Sequence, residues 1–591
     1  VTVEDPFAHL HDEDYAHVFN RGFVGHQTLV QGGGRSVQPL NEGWRLTLDL
    51  FDEGLRQRWY ADDECPPSQW AVPRDYEIEA GKEVSVPSCW NMLQPEWRYF
   101  EGAAWYTRVL HCEHAPDGER LILQVGAAAS SALVFLNGKF LGGHRGASTP
   151  FSVELTDALT PGPNRLQIMV ENRRKRDGVP MHHFDWFNYG GLYREVSLMK
   201  LPAVFVRGVR IGLVPNSEGA RIFIEVEASH PVTEIATLHC SELWDHPQDI
   251  PLHGGNGRVE LTATPRLWSL ATPYLHDVEI RLDRDIWTDR VGFREITTKG
   301  TELFLNGEPL FLKGVCVHED DVDLGKVSTL EDTRRRIADI KALGANFMRL
   351  SHYPHHEQVA RLCDEAGILL WAEVPVYWAI DFGNPSTLAD AENQLLELIK
   401  RDCNRASIIM WGVGNENADT EARYRFMRHL AEAARAADKT RLITAACLID
   451  REKFAIVDRL TEHLDVIGLN EYFGWYEPDM SGLKRLIANS GPEKPVIISE
   501  TGADALAGHR GSGRVLFSED WQASFYQQQW EIITATPWIV GLAAWILYDF
   551  RSERRQTGFQ RGFNRKGLIS EDKATRKQAF HALADMFRSH R

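Results

Sequence analysis

Two patterns of apolar and polar positions divide the chain. Up to about residue 296 the apolar positions come in short alternating runs between turn signals, such as Leu121-Ile122-Leu123-Gln124-Val125 and Leu166-Gln167-Ile168-Met169-Val170. A period of two marks strands with one face buried. Asn137-Gly138, set between Val134-Phe135-Leu136 and Lys139-Phe140-Leu141, predicts a tight hairpin. No amphipathic helical pattern interrupts the first 200 residues, so residues 1–202 read as a β jelly-roll sandwich ending near Leu201-Pro202. Residues 203–296 continue in the same style with Ile222-Phe223-Ile224-Glu225-Val226 and Val278-Glu279-Ile280-Arg281-Leu282, and their length suits an immunoglobulin-like sandwich.

After Thr297 the pattern changes. A hairpin around Asn306-Gly307 leads into apolar strand candidates at 311–317, 346–350, 368–374, 408–414, 442–446, 466–469, 495–499 and 539–545. Helical spacing fills the intervals. In 333–344, Ile337, Ile340 and Leu343 share a face and Gly344 suits a C-cap. In 518–536, Ser518 precedes Glu519 and Asp520 in a first turn. Eight strand–helix units over 297–591 predict a (β/α)8 TIM barrel as the third domain.

Composition narrows the classes. Of 591 residues 43% are hydrophobic and 25% charged, as in a globular protein, and the net charge is −18. An acidic chain is a poor match for a broad nucleic-acid face, so no nucleic-acid partner is expected. No apolar run reaches about 18 residues, so no membrane-spanning helix is expected. The eight cysteines are scattered without a Cys-x-x-Cys pair, which predicts buried free thiols rather than a zinc site or a disulfide framework. The first residue is Val1 rather than Met. The location is therefore left open between the cytoplasm and, for a chain whose leader has been removed, the periplasm.

Catalytic groups of a TIM barrel sit at the C-terminal ends of its strands. Strand four, Ile408-Ile409-Met410-Trp411-Gly412-Val413-Gly414, runs into Asn415-Glu416, and strand seven, Pro495-Val496-Ile497-Ile498-Ser499, runs into Glu500. Two carboxylates converging on one mouth suit glycoside hydrolysis, in which one donates a proton to the leaving oxygen and the other attacks or activates water. Glu373, after strand three, passes the same positional test, so position alone does not choose the pair.

At these residues the chain resembles glycoside hydrolase family 2, and within it the β-glucuronidases. The resemblance covers nearly the whole chain. It includes Asn415-Glu416 and Ile497-Ile498-Ser499-Glu500-Thr501-Gly502-Ala503-Asp504. Further matches are Phe187-Asn188-Tyr189-Gly190-Gly191-Leu192-Tyr193-Arg194, Lys313-Gly314 with His318-Glu319-Asp320, and Arg349-Leu350-Ser351-His352-Tyr353-Pro354. Asn470-Glu471-Tyr472-Phe473-Gly474-Trp475-Tyr476 completes the set. It implies jelly roll, immunoglobulin-like sandwich and barrel in that order, and a retaining exo-β-glycosidase with Glu416 as acid/base and Glu500 as nucleophile. Asn564-Arg565-Lys566 resembles the family's Asn-x-Lys element, which implies that Asn564 and Lys566 hold the carboxylate of a β-glucuronide. The surrounding stretch 551–566 carries six basic side chains against Glu553 alone, so a cationic loop over the mouth is expected, with Arg561 among its substrate contacts.

The remaining expected substrate contacts are Asp185, His318, Arg349, Asn415, Tyr472 and Trp545. Arg349 is expected to keep Glu500 charged, Tyr472 to bond it and Trp545 to floor the sugar site. The mechanism needs a raised pKa at Glu416 and an ionised Glu500. No metal or organic cofactor is implied, and His318 reads as a hydrogen-bonding group rather than a metal ligand. The implied partner is a carbohydrate, and the implied assembly a homodimer or homotetramer. Glu471, Asn417, Thr501 and Gln560 depart from the common family pattern. These departures leave the uronic acid and the leaving group open, with a β-galacturonidase as an alternative; a β-galactosidase, against which Asn564-x-Lys566 argues, a non-catalytic carbohydrate-binding relative, against which Glu416 and Glu500 argue, and a transglycosylase also stand as alternatives.

Overall fold

A computed structural model describes residues 29–61, 78–112, 118–215, 217 and 221–590. The first sandwich packs a six-stranded sheet against a four-stranded one. The larger sheet runs in the order Lys82–Val84, Trp44–Asp49, Ala103–Cys112, Gly162–Glu171, Ser131–Leu136 and Lys139–Arg145. The smaller runs Ser36–Pro39, Val196–Pro202, Glu119–Val125 and Phe151–Glu154. Trp44, Leu123, Val134, Phe151 and Ile168 meet between them. The alternation reads as it does because each strand turns every second residue into this layer. Asn137 and Gly138 take φ of 50° and 76° and join Leu136 to Lys139, the left-handed pair that a two-residue hairpin turn requires.

The second sandwich faces a three-stranded sheet (Val206–Leu213, Arg221–Ala228, Asn256–Thr262) with a four-stranded one (Gln248–Pro251, Ile235–His239, His276–Leu282, Asp285–Val291). Residues 29–35 lie against it. Gly33 bridges Thr288, and Arg35 makes a buried ion pair with Asp285 at 2.7 Å.

The barrel closes through eight parallel strands: Leu312–Val317, Phe347–Leu350, Leu369–Glu373, Ile408–Asn415, Leu442–Cys447, Val466–Asn470, Val496–Thr501 and Ile539–Ala544. Each coincides with one of the eight apolar runs. The helix Leu330–Leu343 starts on a Thr329/Asp332 capping box and ends at Gly344 with φ of 74°. The helix Glu519–Thr534 starts at Ser518, whose side chain accepts from the Trp521 N–H. Six described cysteines are buried and free; Cys65 and the side chain of Cys112 lie outside the described residues. Among the described residues no helix is long and apolar enough to cross a membrane.

The first sandwich docks over the open end of the barrel through the stretch 187–194. Within the sandwich, Gly190 shapes this stretch: it lies so close to Trp90 that an added Cβ would fall 1.9 Å from its ring. Tyr189 donates to Asp320 at 2.6 Å. Arg194 is buried and donates to Glu319 at 3.0 Å, and to the Pro354 and Ser148 carbonyls at 2.7 and 2.6 Å. Burial opposes the charge on Glu319, but Arg194 holds its carboxyl far below the usual range.

Replacing Arg194 by Met strands the Glu319 carboxylate and is expected to cost about 3–5 kcal/mol, read as a lower urea midpoint. The double variant Arg194→Met/Glu319→Leu is expected to recover most of that loss. A single variant of wild-type stability would show that the pair does not anchor the sandwich.

Candidate active site

The end of strand four delivers Asn415 and Glu416. Glu416 takes φ of 52°, a left-handed conformation that costs a non-glycine residue about 1–3 kcal/mol. Its N–H is held by the Ala446 carbonyl at 2.9 Å. Its carboxylate accepts from Trp378 Nε1 at 2.7 Å and from Asn470 Nδ2 at 3.0 Å. Asn417, a departure from the family pattern, donates to the Val376 and Trp378 carbonyls at 3.2 and 2.7 Å, so it fixes the loop that carries Trp378.

Strand seven delivers Glu500. Its Oε1 accepts from Arg349 Nη1 at 2.8 Å, and its Oε2 from the Tyr472 hydroxyl at 2.8 Å. Arg349 is wholly buried at the end of strand two. It also donates to both oxygens of Glu373 at 3.0 and 3.1 Å and to Asn415 Oδ1 at 2.7 Å. Glu373 is thus the counter-ion of Arg349, further bonded to His352 at 2.9 Å, and it does not line the mouth. Position along the barrel did not separate Glu373 from the other two carboxylates; partners do.

Burial pushes Glu500 up to about 8, with Arg349 pulling it down and Glu416 pushing it further up. Burial thus works against the ionised form that the mechanism needs, while Arg349 and the Tyr472 hydroxyl favour it. The reason is physical: a carboxylate under a barrel mouth loses its hydration, and a second carboxylate nearby adds repulsion. Burial likewise lowers His352 and His318 well below the imidazole range, leaving both rings neutral.

The cavity above holds about 510 Å3. Seven of the expected residues line it: Asp185, Glu416, Tyr472, Glu500, Trp545, Asn564 and Lys566. Arg349 and Asn415 sit beneath it in the network just described. His318 packs beside Trp545 and Phe550, its Nδ1 3.1 Å from the Tyr353 hydroxyl. Its Nε2 and Asn415 Nδ2 are buried without a hydrogen-bond partner. Trp545 stacks on His352 at 5.0 Å with one face to the cavity. Among the described residues no group of three or more His, Cys, Asp or Glu is placed to hold a metal.

The basic loop differs from the expectation. Arg561 is exposed, donates to the Gly558 carbonyl at 2.9 Å and is not part of the cavity wall. A short hairpin, Phe550–Arg551 with Phe563–Asn564, closes the loop and turns Arg561 outward. Most of the other positive charges are already balanced. Lys566 Nζ lies 2.6 Å from Asp504 and 2.8 Å from the Tyr476 hydroxyl. Arg555 pairs with Asp185, which also accepts from Ser552 at 2.6 Å. Arg565 pairs with Glu571, and Arg551 donates to Tyr189 at 2.9 Å. Burial opposes the charge on Lys566, but Asp504 keeps its pKa above the ordinary lysine value. Both the loop's charge and its acidic partners must be counted, and the partners lie far away in sequence.

Trp378, Tyr377, Tyr476, Arg554 and Arg555 also line the cavity and were not singled out from sequence. Tyr476 ends the quoted 470–476 stretch and the two arginines lie in the cationic loop, so a signal existed for these three. Trp378 sits beyond strand three in a loop without a motif.

A closed barrel whose mouth holds two carboxylates over a polar cavity is the architecture of a carbohydrate-cleaving enzyme. Comparison with known proteins makes this specific. The glycosyl hydrolases family 2 TIM barrel domain matches residues 296–587, and the sugar binding domain of the same family matches residues 37–202. The chain belongs to glycosyl hydrolase family 2 and is a glycoside hydrolase. A β-glucuronidase of Paenibacillus borealis is 28% identical over 94% of this chain and 96% of its own length. The Homo sapiens β-glucuronidase is 25% identical over 92% and 90%. A β-glucuronidase structure from an uncultured Clostridium sp. aligns with a TM-score of 0.83 at 26% identity, covering 95% of this chain and 99% of that one. A β-galacturonidase from Eisenbergiella tayi bound to galacturonate aligns with a TM-score of 0.82 at 27% identity, covering 95% and 99%.

Arg349 lowers both Glu373 and Glu500, so Arg349→Met raises both folded-state pKa values further above that of an ordinary glutamate. A folded state that binds more protons than the unfolded one loses stability as pH rises. The variant is therefore expected to fall further behind the wild type at pH 8 than at pH 5 in urea melts. A deficit independent of pH would contradict this account of Arg349.

Proposed function

We propose that this enzyme is a retaining exo-β-glucuronidase that acts through a glycosyl-enzyme intermediate. The observation that carries the reading is the placement of Lys566 and Asn564 on the wall of the cavity that Glu416 and Glu500 share. In this reading the uronide carboxylate meets Lys566 Nζ and Asn564 Nδ2, and Tyr476 stands beside them. Asp504 does not cancel that role. It holds the ammonium in one place and keeps it protonated, at the cost of some of its net attraction.

Glu416 donates a proton to the glycosidic oxygen and Glu500 attacks the anomeric carbon. Glu416 then takes a proton from water, which releases the sugar with retained configuration. The working form carries the proton on Glu416 and the charge on Glu500, where Arg349 and the Tyr472 hydroxyl stabilise it. Asn415 Nδ2 and His318 Nε2, buried and unpaired, are donors or acceptors suited to sugar hydroxyls, and Trp545 offers a flat face to the ring. No cofactor is needed for these steps. Self-association as a dimer or tetramer belongs to the same proposal, as does a division into 1–202, 203–296 and 297–591.

A β-galacturonidase is the second reading. It is favoured by the likeness to the Eisenbergiella tayi enzyme, and the carboxylate contacts serve either epimer. Activity on aryl β-glucuronide, β-galacturonide and β-galactoside, measured side by side, decides among the sugars. Lys566→Ala supplies the specificity test. It is expected to lower the uronide-to-neutral ratio of kcat/KM by roughly 10- to 150-fold, the equivalent of about 1.5–3 kcal/mol for a charged hydrogen bond. The ratio is the proper readout because the substitution also strands the buried Asp504, which lowers the folded fraction for both substrates alike. An unchanged ratio would reassign the sugar.

A further inference from the structure

Arg554 stands apart from the other basic residues of the loop. It lines the cavity, it is exposed, and no carboxylate among the described residues lies within ion-pair distance of it. Its guanidinium sits 4.6 Å from the centre of the Trp378 ring. Trp378 is held through both its ring and its backbone. Its Nε1 donates to Glu416, its backbone N–H donates to the Asn415 carbonyl at 2.8 Å, and its carbonyl accepts from Asn417. Tyr377 packs against it at 4.5 Å. The indole thus fixes a cation one ring away from Glu416, and a cation–π contact of this kind restrains the guanidinium while leaving its N–H groups for a ligand.

The direction matters. Glu416 meets the glycosidic oxygen, so what lies beyond Glu416 is the leaving group. The residues read as uronide contacts have other partners, Lys566 bonding Tyr476 and Asp504 and Asn564 lying 3.5 Å from Asp185, whereas Arg554 is linked through the Trp378 ring to Glu416. Leu448, Ile449 and Arg451, which follow the strand whose Ala446 carbonyl holds the Glu416 N–H, line the same rim of the cavity, and Arg451 is tied to Glu477 at 3.4 Å. The cavity volume also falls in the range of roughly 300–1,000 Å3 that encloses drug-sized ligands, more than a single sugar ring fills.

We propose that this rim is a leaving-group subsite selective for a ring that carries a carboxylate, with Arg554 as its specificity-determining residue. The natural substrates are then acidic at both ends of the scissile bond, as in a chain of uronic acids. The inference rests on the reading of Glu416 as the proton donor. An anion placed here pairs with the fixed guanidinium through charge-assisted hydrogen bonds. At this exposed position the gain is at the low end for such bonds and sensitive to salt.

The test uses two disaccharides with the same β-glucuronosyl residue. In one the second ring is a uronate; in the other that carboxylate is reduced to a hydroxymethyl group. An aryl β-glucuronide reports on the glycosidase reading. The wild-type enzyme is expected to show about a tenfold higher kcat/KM on the diacidic compound, and added salt is expected to shrink this preference. Arg554→Gln is expected to bring the ratio close to one, and Arg554→Lys to keep part of it. A wild-type ratio near one, or a ratio that survives Arg554→Gln, overturns the subsite while aryl glucuronide turnover leaves the glucuronidase reading intact. Absence of turnover on all three compounds overturns both.

Discussion

The guanidinium of Arg349 is the interaction on which the catalytic end of this barrel depends. It is fully buried beneath the mouth and touches Glu373 from strand three, Asn415 from strand four and Glu500 from strand seven. It also donates to the Ser499 carbonyl at 3.2 Å. A buried arginine is tolerable only when its donors are matched, and here two carboxylates, an amide and a carbonyl match them. The same bonds orient the carboxylates. Remove the guanidinium, and Glu373 and Glu500 remain as buried acids without the charge that most favours their ionised forms.

Around that centre the rest of the molecule acts as walls. The first sandwich contributes Asp185, which anchors Arg555 and Ser552 and so fixes the loop that roofs the cavity. Arg194 and Glu319 lock the same sandwich to the loop after strand one. Trp378 and Asn470 hold Glu416 in a backbone conformation that glutamate does not favour on its own. Strain at one residue, offset by hydrogen bonds from several others, is the usual economy of a site that must hold a reactive group still.

Much of this was legible in the sequence because the signals are local. Alternation found the strands, and Asn137-Gly138 found its hairpin through the left-handed turn it alone accommodates well. The capping residues Ser518 and Gly344 marked helix ends. Strand ends pointed to Glu416, Glu500 and Glu373 together, and only the partners told the last apart. What stayed hidden is what depends on distant partners. A count of charges made the loop 551–566 look strongly basic, yet Asp185, Asp504 and Glu571 balance Arg555, Lys566 and Arg565 across the fold. Arg561 was expected at the cavity and is turned away by a hairpin of two short strands. Trp378 carries no motif, since its place is set by hydrogen bonds to Asn415, Glu416 and Asn417 rather than by spacing. The balance at Glu500 was legible only in part: proximity to Arg349 could be foreseen, but the opposing weight of burial depends on the whole fold.

The central claim is that Glu500 is the group that forms a bond to the sugar. Trapping measures it directly. The enzyme is incubated with a 2-deoxy-2-fluoro-β-glucuronosyl fluoride, whose fluorine at C2 slows release of the intermediate, and the intact and digested protein are weighed by mass spectrometry. The account predicts one equivalent of fluoroglucuronosyl group per chain, carried by the peptide containing Glu500 and absent from Glu500→Gln. Label on Glu416 or Glu373, or steady hydrolysis of the same compound with inverted anomeric configuration and no adduct, would contradict it.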